Sequence, residues 1–438
     1  MIFTPNKVIA CWDTWVYFHN NTYYLYYLSG RMGKWDGFGV AVSNDGLHFK
    51  DIGQVMTTSD KNEGYFGTGS VWRSPLPSDG ELFYCNFSEW RKTKKGVEQQ
   101  IFFAKSNDLL HWDKLGEDSC FECDDRWYVA DEQNGGRWDC IFPIEREQGG
   151  YYGYYTAKVK GRIGFGFAET EDGYHWASLK PPILDLNGHD VTGEVEVGAI
   201  CKHRGKYFIL LSNQTSPGFV AVADRPEGPF CVQKTNTALM NAGRGMWSAY
   251  FMRFFSASGE LFVNHHSISK EKNAHNHEII SLAPIKKVWF DSSNTMYLKW
   301  WKVNEGIKGE PIYGGAERTE LPEEGCVLEG QLVGGSLDIQ MLSGDCTHIK
   351  FDPHDDIQIT TRRGTEMIPE KRMPRPFWGK SPADIRVLVR RCLIEIYVND
   401  FFVDTYTMET RGKCLNLEGN WKSVKKYKIS DTILLPST

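Results

Sequence analysis

The sequence lacks the features that would place it in several protein classes. No apolar run approaches the ~20 residues needed to cross a bilayer. The N-terminus, MIFTPNKVIACWD, has no charged segment followed by an apolar one, so no secretion signal is predicted. The basic tract at 91–95 is too short to follow a phosphate backbone, and the formal net charge is -6. We therefore expect a cytoplasmic protein that binds neither membrane nor nucleic acid.

Paired metal-ligand motifs are also missing. Cys120 and Cys123 form a single CxxC without a second pair, and the other cysteines are scattered, which favours reduced thiols over a zinc site. The histidines of NAHNHE (273–278) are a second weak metal motif in a Lys-rich loop. Neither GFG nor GTG is followed by a helical pattern, so neither predicts a nucleotide site. We expect no metal and no organic cofactor.

Helical periodicity is nearly absent before residue 295, and an internal repeat takes its place. SNDGLHF (43–49), SNDLLHW (106–112) and TEDGYHW (170–176) align, and ADRPEGPF (223–230) is a degenerate relative. Each follows a short apolar run, and Asp-Gly and Asn-Asp are turn signals. The repeat therefore predicts the same turn, followed by an outer strand, in successive units.

A second pattern, strand, turn and aromatic strand, lies upstream of these turns and recurs five times. Examples are WVYFHNNTYYLYYL and AICKHRGKYFILLS. Repeated units of this kind predict a five-bladed β-propeller. After residue 304 the repeat is lost, and alternating strands such as DIRVLVRR and LIEIYVND predict a β-sandwich. We predict an all-β chain with a propeller at 1–304, a linker at 305–317 and a β-sandwich at 318–438.

Carboxylates stand at the start of the innermost strand in three of the predicted units. These are Asp13 in the first, Asp139 in the third, and Glu194 with Glu196 in the fourth. In a propeller the starting ends of the inner strands converge on one funnel. Converging carboxylates suit glycoside cleavage, in which one carboxyl donates a proton and another acts as nucleophile or base. Taken singly, each could instead be a turn or cap residue.

Aromatic and cationic residues near these positions complete the predicted site. The sequence is rich in Trp and Tyr, which stack on flat ligands or pack in β cores. Of His265 and His266, at most one can face the funnel, because adjacent strand residues alternate in direction. The predicted substrate-binding residues are Trp12, Trp35, Phe66, Ser70, Arg137, Trp138, Glu194 and Trp247.

At these residues the chain resembles the five-bladed propeller glycosidases of glycoside hydrolase family 32 and its relatives in families 43 and 68. The stretches that carry the resemblance are KWDGFGVAVSNDGLHFKD, YFGTGSV, QQIFFAKSNDLLHW and, near the C-terminus, DIRVLVRRCLIEIYVND. The resemblance covers nearly the whole chain. It implies that Asp13 is the nucleophile, that Asp139 stabilises the transition state and that Glu196, favoured over Glu194, is the general acid.

The chain departs from the family pattern at each of these motifs. Pro and Asn are missing after Asp13, Trp138 stands between Arg137 and Asp139, and Glu-Cys-Pro is absent. The resemblance implies hydrolysis of a terminal furanoside, by default a β-fructofuranoside, from an oligosaccharide with retention of configuration. An arabinofuranosidase-type or inverting enzyme and a non-catalytic carbohydrate-binding propeller are the alternatives, and a homo-oligomer is left open.

Overall fold

The computed structural model shows an all-β protein. It describes residues 2–31, 34–67, 69–189, 191, 193–212, 218–233, 249–313, 318–352, 357–373 and 382–434. For residues 249–251 and 367–373 it describes the main chain only. Its helices are short: 3₁₀ turns at Pro77–Asp79, Glu117–Ser119, Glu132–Asn134 and Lys302–Ile307, and one α-helical turn at Asp431–Leu434.

Four separate sheets, antiparallel except for one outer pair, come first along the chain. The first sheet contains β1 (Ala10–His19), β2 (Thr22–Arg31), β3 (Lys34–Ser43) and β4 (Lys50–Thr57). The second contains β5 (Phe66–Gly67), β6 (Val71–Arg73), β7 (Phe83–Thr93), β8 (Gly96–Ser106) and β9 (Asp113–Lys114). The third contains β10 (Tyr128–Val129), β11 (Trp138–Glu145), β12 (Tyr151–Val159), β13 (Gly166–Thr170) and β14 (Ala177–Leu179). The fourth contains β15 (Leu184–Asp185), β16 (Glu196–His203), β17 (Lys206–Ser212), β18 (Phe219–Ala223) and β19 (Phe230–Val232), and its outermost pair, β15–β19, is parallel.

The fifth predicted unit belongs to a larger sheet. It contains β20 (Ala249–Ala257), β21 (Glu260–Lys272), β22 (Glu278–Leu282), β23 (Lys286–Phe290) and β24 (Met296–Trp300). The C-terminal strands are β25 (Lys308–Pro311), β26 (Arg318–Glu320), β27 (Cys326–Met341), β28 (Cys346–Phe351), β29 (Ile357–Arg363), β30 (Glu366–Met373), β31 (Ala383–Arg390), β32 (Leu393–Val398), β33 (Phe401–Thr407) and β34 (Gly412–Ile429). Because Lys299 in β24 pairs with Phe401 in β33, the two sets of strands are continuous.

Short turns with left-handed residues connect the first two long strands of several units. Asn20 and Asn21 both have positive φ, 46° and 58°, between β1 and β2. Such two-residue turns match the right-handed twist of paired strands, and Asn tolerates this conformation better than most residues. The strand-turn-strand pattern is confirmed in all five predicted units.

The repeated turn also falls where the sequence predicts it, between the last two strands of each of the first three sheets: β3 and β4, β8 and β9, and β13 and β14. In the first sheet Asp45 accepts hydrogen bonds from the main-chain N–H groups of Leu47 and His48, and its other oxygen lies 2.7 Å from Nδ1 of His48. Asp108 with His111 and Asp172 with His175 repeat this geometry. A local hydrogen-bond pattern of this kind depends on sequence neighbours alone.

The sheets are arranged as in a propeller. Strand β1 contacts β20, β20 contacts β16, β16 contacts β11, and β11 contacts β7, while β3 contacts β5. Phe3 near the N-terminus forms an isolated bridge with Leu282 in β22, which joins the beginning of the chain to the fifth set of strands. The inner strands of successive units are therefore neighbours.

The C-terminal strands bury a hydrophobic cluster of their own, which includes Leu328, Ile339 and Val387. In the predicted linker at 305–317, residues up to 307 form a 3₁₀ turn and β25 pairs with β34, so this part is regular structure. The domain boundaries stay a prediction.

Candidate active site

The three predicted carboxylates lie beside irregularities in the inner strands. The pairing register shifts between Trp12 and Thr14 in β1, between Asp139 and Phe142 in β11, and between Val197 and Ala199 in β16. At the first of these Asp13 itself has φ 35°, in the left-handed region. Bulges turn side chains away from the regular alternation of a strand and are frequent beside active sites. All three carboxylates are buried, with residue exposures of 9% for Asp13, 1% for Asp139 and 6% for Glu196.

Asp139 is held by two hydroxyl groups from the second sheet and the loop before it. The Tyr65 hydroxyl donates to Oδ2 at 2.8 Å, and the Ser88 hydroxyl donates to Oδ1. Gly67 leaves the space that this packing needs, since a Cβ atom at 67 would lie 2.7 Å from Asp139 Oδ1. Burial and the negative charge of Asp139 raise the pKa of the Tyr65 hydroxyl well above its usual value, so Tyr65 stays a donor.

Arg137 links two of the carboxylates. Its Nη2 donates to Glu196 Oε1 at 2.8 Å and lies 3.6 Å from Asp139 Oδ2. Burial opposes the positive charge, but Glu196, Tyr65 and Asp139 together outweigh it and raise the pKa of Arg137 well above its usual value. The arginine is therefore a fixed cation between the strand starts of the third and fourth sheets.

The buried Cys140 thiol is affected by the charges of both Asp139 and Asp13. Burial raises the pKa of the Cys140 thiol well above its usual value, and the negative charges of Asp139 and Asp13 raise it further against the opposing charge of Arg253. Electrostatic effects of this kind act over short distances inside a protein. The charges of both carboxylates therefore act on this thiol, which stays neutral.

An aromatic wall lies next to Asp13. The half-buried Trp12 ring stacks on Trp35, with centroids 6.4 Å apart, and the buried His266 ring lies 5.1 Å from Trp12 on a tilted plane. Indole faces of this kind bind sugar rings by stacking. Of the two adjacent histidines, His266 is the one that contacts this wall, as the alternation of strand residues requires.

Three predicted substrate-binding residues lie in the core instead. Trp138 is fully buried, packs against Tyr128 and Tyr155, and donates its Nε1–H to the Phe121 carbonyl. Phe66 is fully buried against other rings, and the buried Ser70 hydroxyl donates to the Ile141 carbonyl. The Trp-Asp dipeptide repeats, but the residues around the two tryptophans differ. These three side chains pack in the core, and a role for them in substrate binding stays a prediction.

Glu194 and Trp247 complete the set of predicted residues. Glu194 precedes β16 instead of sharing a strand face with Glu196, and its half-exposed carboxylate lies 3.4 Å from Lys158 Nζ. The two glutamates therefore point to different partners, and Glu196 alone joins the carboxylate cluster. Trp247 lies outside the described residues.

Sequence reasoning missed the residues that other sheets contribute. Tyr65 and Ser88 bind Asp139 across 74 and 51 positions of sequence, and Arg253, buried with its guanidinium 4.5 Å from the Phe142 ring centroid, donates to the Gly198 carbonyl. Tyr65 lies in YFGTGSV, one of the stretches that carry the family resemblance. Comparing each residue of this stretch with the family could have identified Tyr65. Nothing local identifies Ser88 or Arg253.

Among the described residues no group of three or more His, Cys, Asp or Glu side chains is placed to hold a metal ion. All eleven cysteines are free thiols. No described helix has the length and apolarity to pass through a bilayer. The described site thus contains three buried carboxylates, one arginine bridging two of them and an indole wall, which suits proton transfer and nucleophilic attack on a polyhydroxylated ligand.

The chain matches no protein-family model and no curated protein, but solved structures share its fold. The GH32 β-fructofuranosidase of Bombyx mori superposes with a TM-score of 0.74 at 12% identity, over 98% of this chain and 93% of that one. A sucrose-6-phosphate hydrolase from Lactobacillus gasseri gives 0.74 at 12% identity over 98% and 94%. A fructan 1-exohydrolase from Cichorium intybus gives 0.69 at 9% over 98% and 96%. The chain therefore has the GH32-like propeller glycosidase fold over almost its whole length.

Proposed function

We propose that this protein is a glycoside hydrolase that removes a terminal furanoside from an oligosaccharide. The observation that carries the proposal is the bridging of Glu196 and Asp139 by Arg137, together with a third buried carboxylate, Asp13, at the corresponding irregularity of β1. Buried charged groups are retained at a cost, and a concentration of them in one place is a functional signal. The GH32-like fold supports the same reaction class, as do the five strand-turn-strand units. We interpret these units as five propeller blades, and the strands that follow them as a C-terminal β-sandwich.

We assign the reaction steps to the three carboxylates. Asp13 attacks the anomeric carbon while the glycosidic C–O bond breaks, and Glu196, in its protonated form and out of its ion pair with Arg137, gives its proton to the leaving oxygen. In the second step Glu196 takes a proton from water, the water oxygen bonds to the anomeric carbon, and Asp13 is released. Asp139, held by Tyr65 and Ser88, accepts hydrogen bonds from the sugar and supports the positive charge that develops on the ring.

The substrate is proposed from the fold and from the aromatic wall. The solved structures that share the fold are named as a β-fructofuranosidase, a sucrose-6-phosphate hydrolase and a fructan exohydrolase, and one Bombyx mori mutant structure contains sucrose. Trp12 and Trp35 offer indole faces beside Asp13 for a sugar ring. A β-fructofuranoside is therefore the first substrate to test, and an arabinofuranoside the second.

The test is a screen of purified protein against sucrose, fructo-oligosaccharides, arabino-oligosaccharides and aryl furanosides, with NMR of the first-formed anomer. On the hydrolysed substrate we expect Asp13→Asn and Glu196→Gln each to lose more than about 1,000-fold in kcat, because each removes a group that acts in the transition state. Glu194→Gln is the matched control: it neutralises a nearby, half-exposed glutamate and is expected to keep wild-type kcat.

Four outcomes would overturn parts of this proposal. Wild-type activity in Asp13→Asn or Glu196→Gln would remove that residue from the mechanism. If Glu194→Gln lost activity while Glu196→Gln kept it, the two glutamates would exchange roles. Sugar binding without turnover by the wild-type protein would identify a carbohydrate-binding propeller instead of an enzyme. First appearance of the anomer of opposite configuration would indicate inversion.

A further inference from the structure

A buried charged network joins the C-terminal strands to the fifth set of strands. Lys286 in β23 donates from Nζ to Glu395 Oε1 in β32 at 2.7 Å and to Nε2 of His265 in β21 at 2.7 Å. The hydroxyl of Tyr397 donates to the other oxygen of Glu395 at 2.7 Å. Lys286, Glu395, His265 and Tyr397 are all fully buried.

The hydrogen bonds of the network determine the state of His265. Since Lys286 donates to Nε2, the imidazole proton is on Nδ1, which donates to the main-chain oxygen of His266 at 3.1 Å. Burial and the charge of Lys286 lower the pKa of His265 well below its usual value, which keeps the ring neutral. The ammonium also lies 4.7 Å from the centre of the Phe402 ring, a cation–π contact.

The same strand carries the network to the candidate active site. His265 and His266 project to opposite faces of β21, one toward Glu395 and the other toward Trp12, whose ring lies 5.1 Å away. Trp12 precedes Asp13 and stacks on Trp35. The path from Glu395 to the aromatic wall therefore runs through one ion pair, the adjacent residues His265 and His266, and one ring contact.

We propose that Glu395 and Lys286 are positioning residues through which the C-terminal strands hold His266 and the Trp12 wall in place for substrate. A fully buried ion pair is a poor source of stability, because desolvation consumes most of the attraction, and apolar replacements are often equally stable. Its directional hydrogen bonds instead define where β21 sits relative to β32. This inference rests on the proposed function for its kinetic consequence but not for its structural one.

The experiment compares single and paired substitutions of the network. Glu395→Gln leaves the Lys286 charge without its carboxylate, and the double variant Lys286→Met, Glu395→Met replaces the pair with apolar side chains of similar length. We expect each to raise KM on the hydrolysed furanoside by about tenfold with a smaller change in kcat, because the wall binds substrate but does no chemistry. We also expect faster deuterium uptake by the main chain at 10–16 and 264–268.

Glu329→Gln is the matched control. Glu329 accepts hydrogen bonds from Lys308 at 2.7 Å and from Arg386 at 2.8 Å, and both partners lie in C-terminal strands rather than in β21. We expect it to keep the wild-type KM and the wild-type uptake at 10–16, whatever it does to the melting temperature. This separates a general loss of stability from a local effect on the wall.

The double variant decides the inference if Glu395→Gln fails to fold. A double variant with a wild-type melting temperature, KM and deuterium uptake would show that the network has no influence on the wall, and would overturn the proposal. If the wild-type protein hydrolyses no furanoside, the proposed function fails instead, and the deuterium uptake of the same variants still tests whether Glu395 and Lys286 position residues 10–16.

Discussion

Replacing Arg137 by Met is the most direct test of the carboxylate cluster. The substitution removes the cation that lies 2.8 Å from Glu196 and 3.6 Å from Asp139 and keeps a side chain of similar length. At an effective dielectric constant of about 20, Coulomb's law gives about 6 kcal/mol for the first contact and about 5 kcal/mol for the second. These are gross attractions, and desolvation of the charges offsets much of them.

The net free-energy cost of removing the Arg137 charge depends on how deeply its side chain is buried. Breaking a buried ion pair by removing one partner costs about 3–5 kcal/mol, because a charge is left uncompensated. The Arg137 side chain is 28% exposed, so water screens part of the effect and we expect about 2–4 kcal/mol. At 1.36 kcal/mol for each factor of ten, a loss of this size in the transition state lowers kcat/KM by about 100-fold.

The assay measures kcat/KM and the thermal midpoint of the wild-type protein, Arg137→Met and Arg137→Lys. Lys keeps the charge but cannot form the same planar, forked contacts, so we expect partial recovery of both quantities. Arg126→Met is the control, because Arg126 pairs with Asp124 on the surface, and we expect it to leave both unchanged. Arg137→Met with wild-type kcat/KM would refute the reasoning, since the two carboxylates would then need no cation.

The remaining predictions concern one hydrogen bond and one turn. Tyr65→Phe removes a donor to Asp139, and we expect kcat/KM to fall about tenfold, in line with the loss of a hydrogen bond to a charged group; steady-state kinetics that match the wild type would contradict this. Burial opposes ionisation of Asp45, but hydrogen bonds from His48 and Leu47 lower its pKa from 3.8 to about 2. A lowered folded-state pKa contributes stability above pH 3.8 that is lost as the pH falls toward 2. Asp45→Asn should therefore lower the melting temperature at pH 7 and converge with the wild type near pH 2, and a constant difference over that range would count against it.

The sequence predicted the parts of the fold that depend on neighbouring residues. The turns at Asp45, Asp108 and Asp172 form from hydrogen bonds to residues two and three positions ahead, so one motif gives one geometry in three sheets. The paired asparagines at 20 and 21 likewise predict their own turn. The continuity of β24 with β33 was not predicted, because pairing across about 100 residues leaves no local signal.

The candidate site was predicted in part for the same reason. Asp13, Asp139 and Glu196 were found because they occupy one position in a repeated unit. Trp138 was assigned to substrate on the basis of its dipeptide, but the ring is fully buried against Phe121 and Tyr128, which belong to a segment that the repeat pattern does not describe. The same Trp-Asp dipeptide therefore has different surroundings in the first and third units.

By itself the sequence determined the strand-turn-strand units and the three carboxylates at their starts, because hydrogen bonds and hydrophobic alternation act over a few residues. Only the tertiary structure decided which side chains surround those carboxylates. Arg137 meets Glu196 across 59 positions, Tyr65 meets Asp139 across 74, and Lys286 meets Glu395 across 109. Such contacts arise when the chain folds back on itself, and burial then sets the strength of each charge and hydrogen bond.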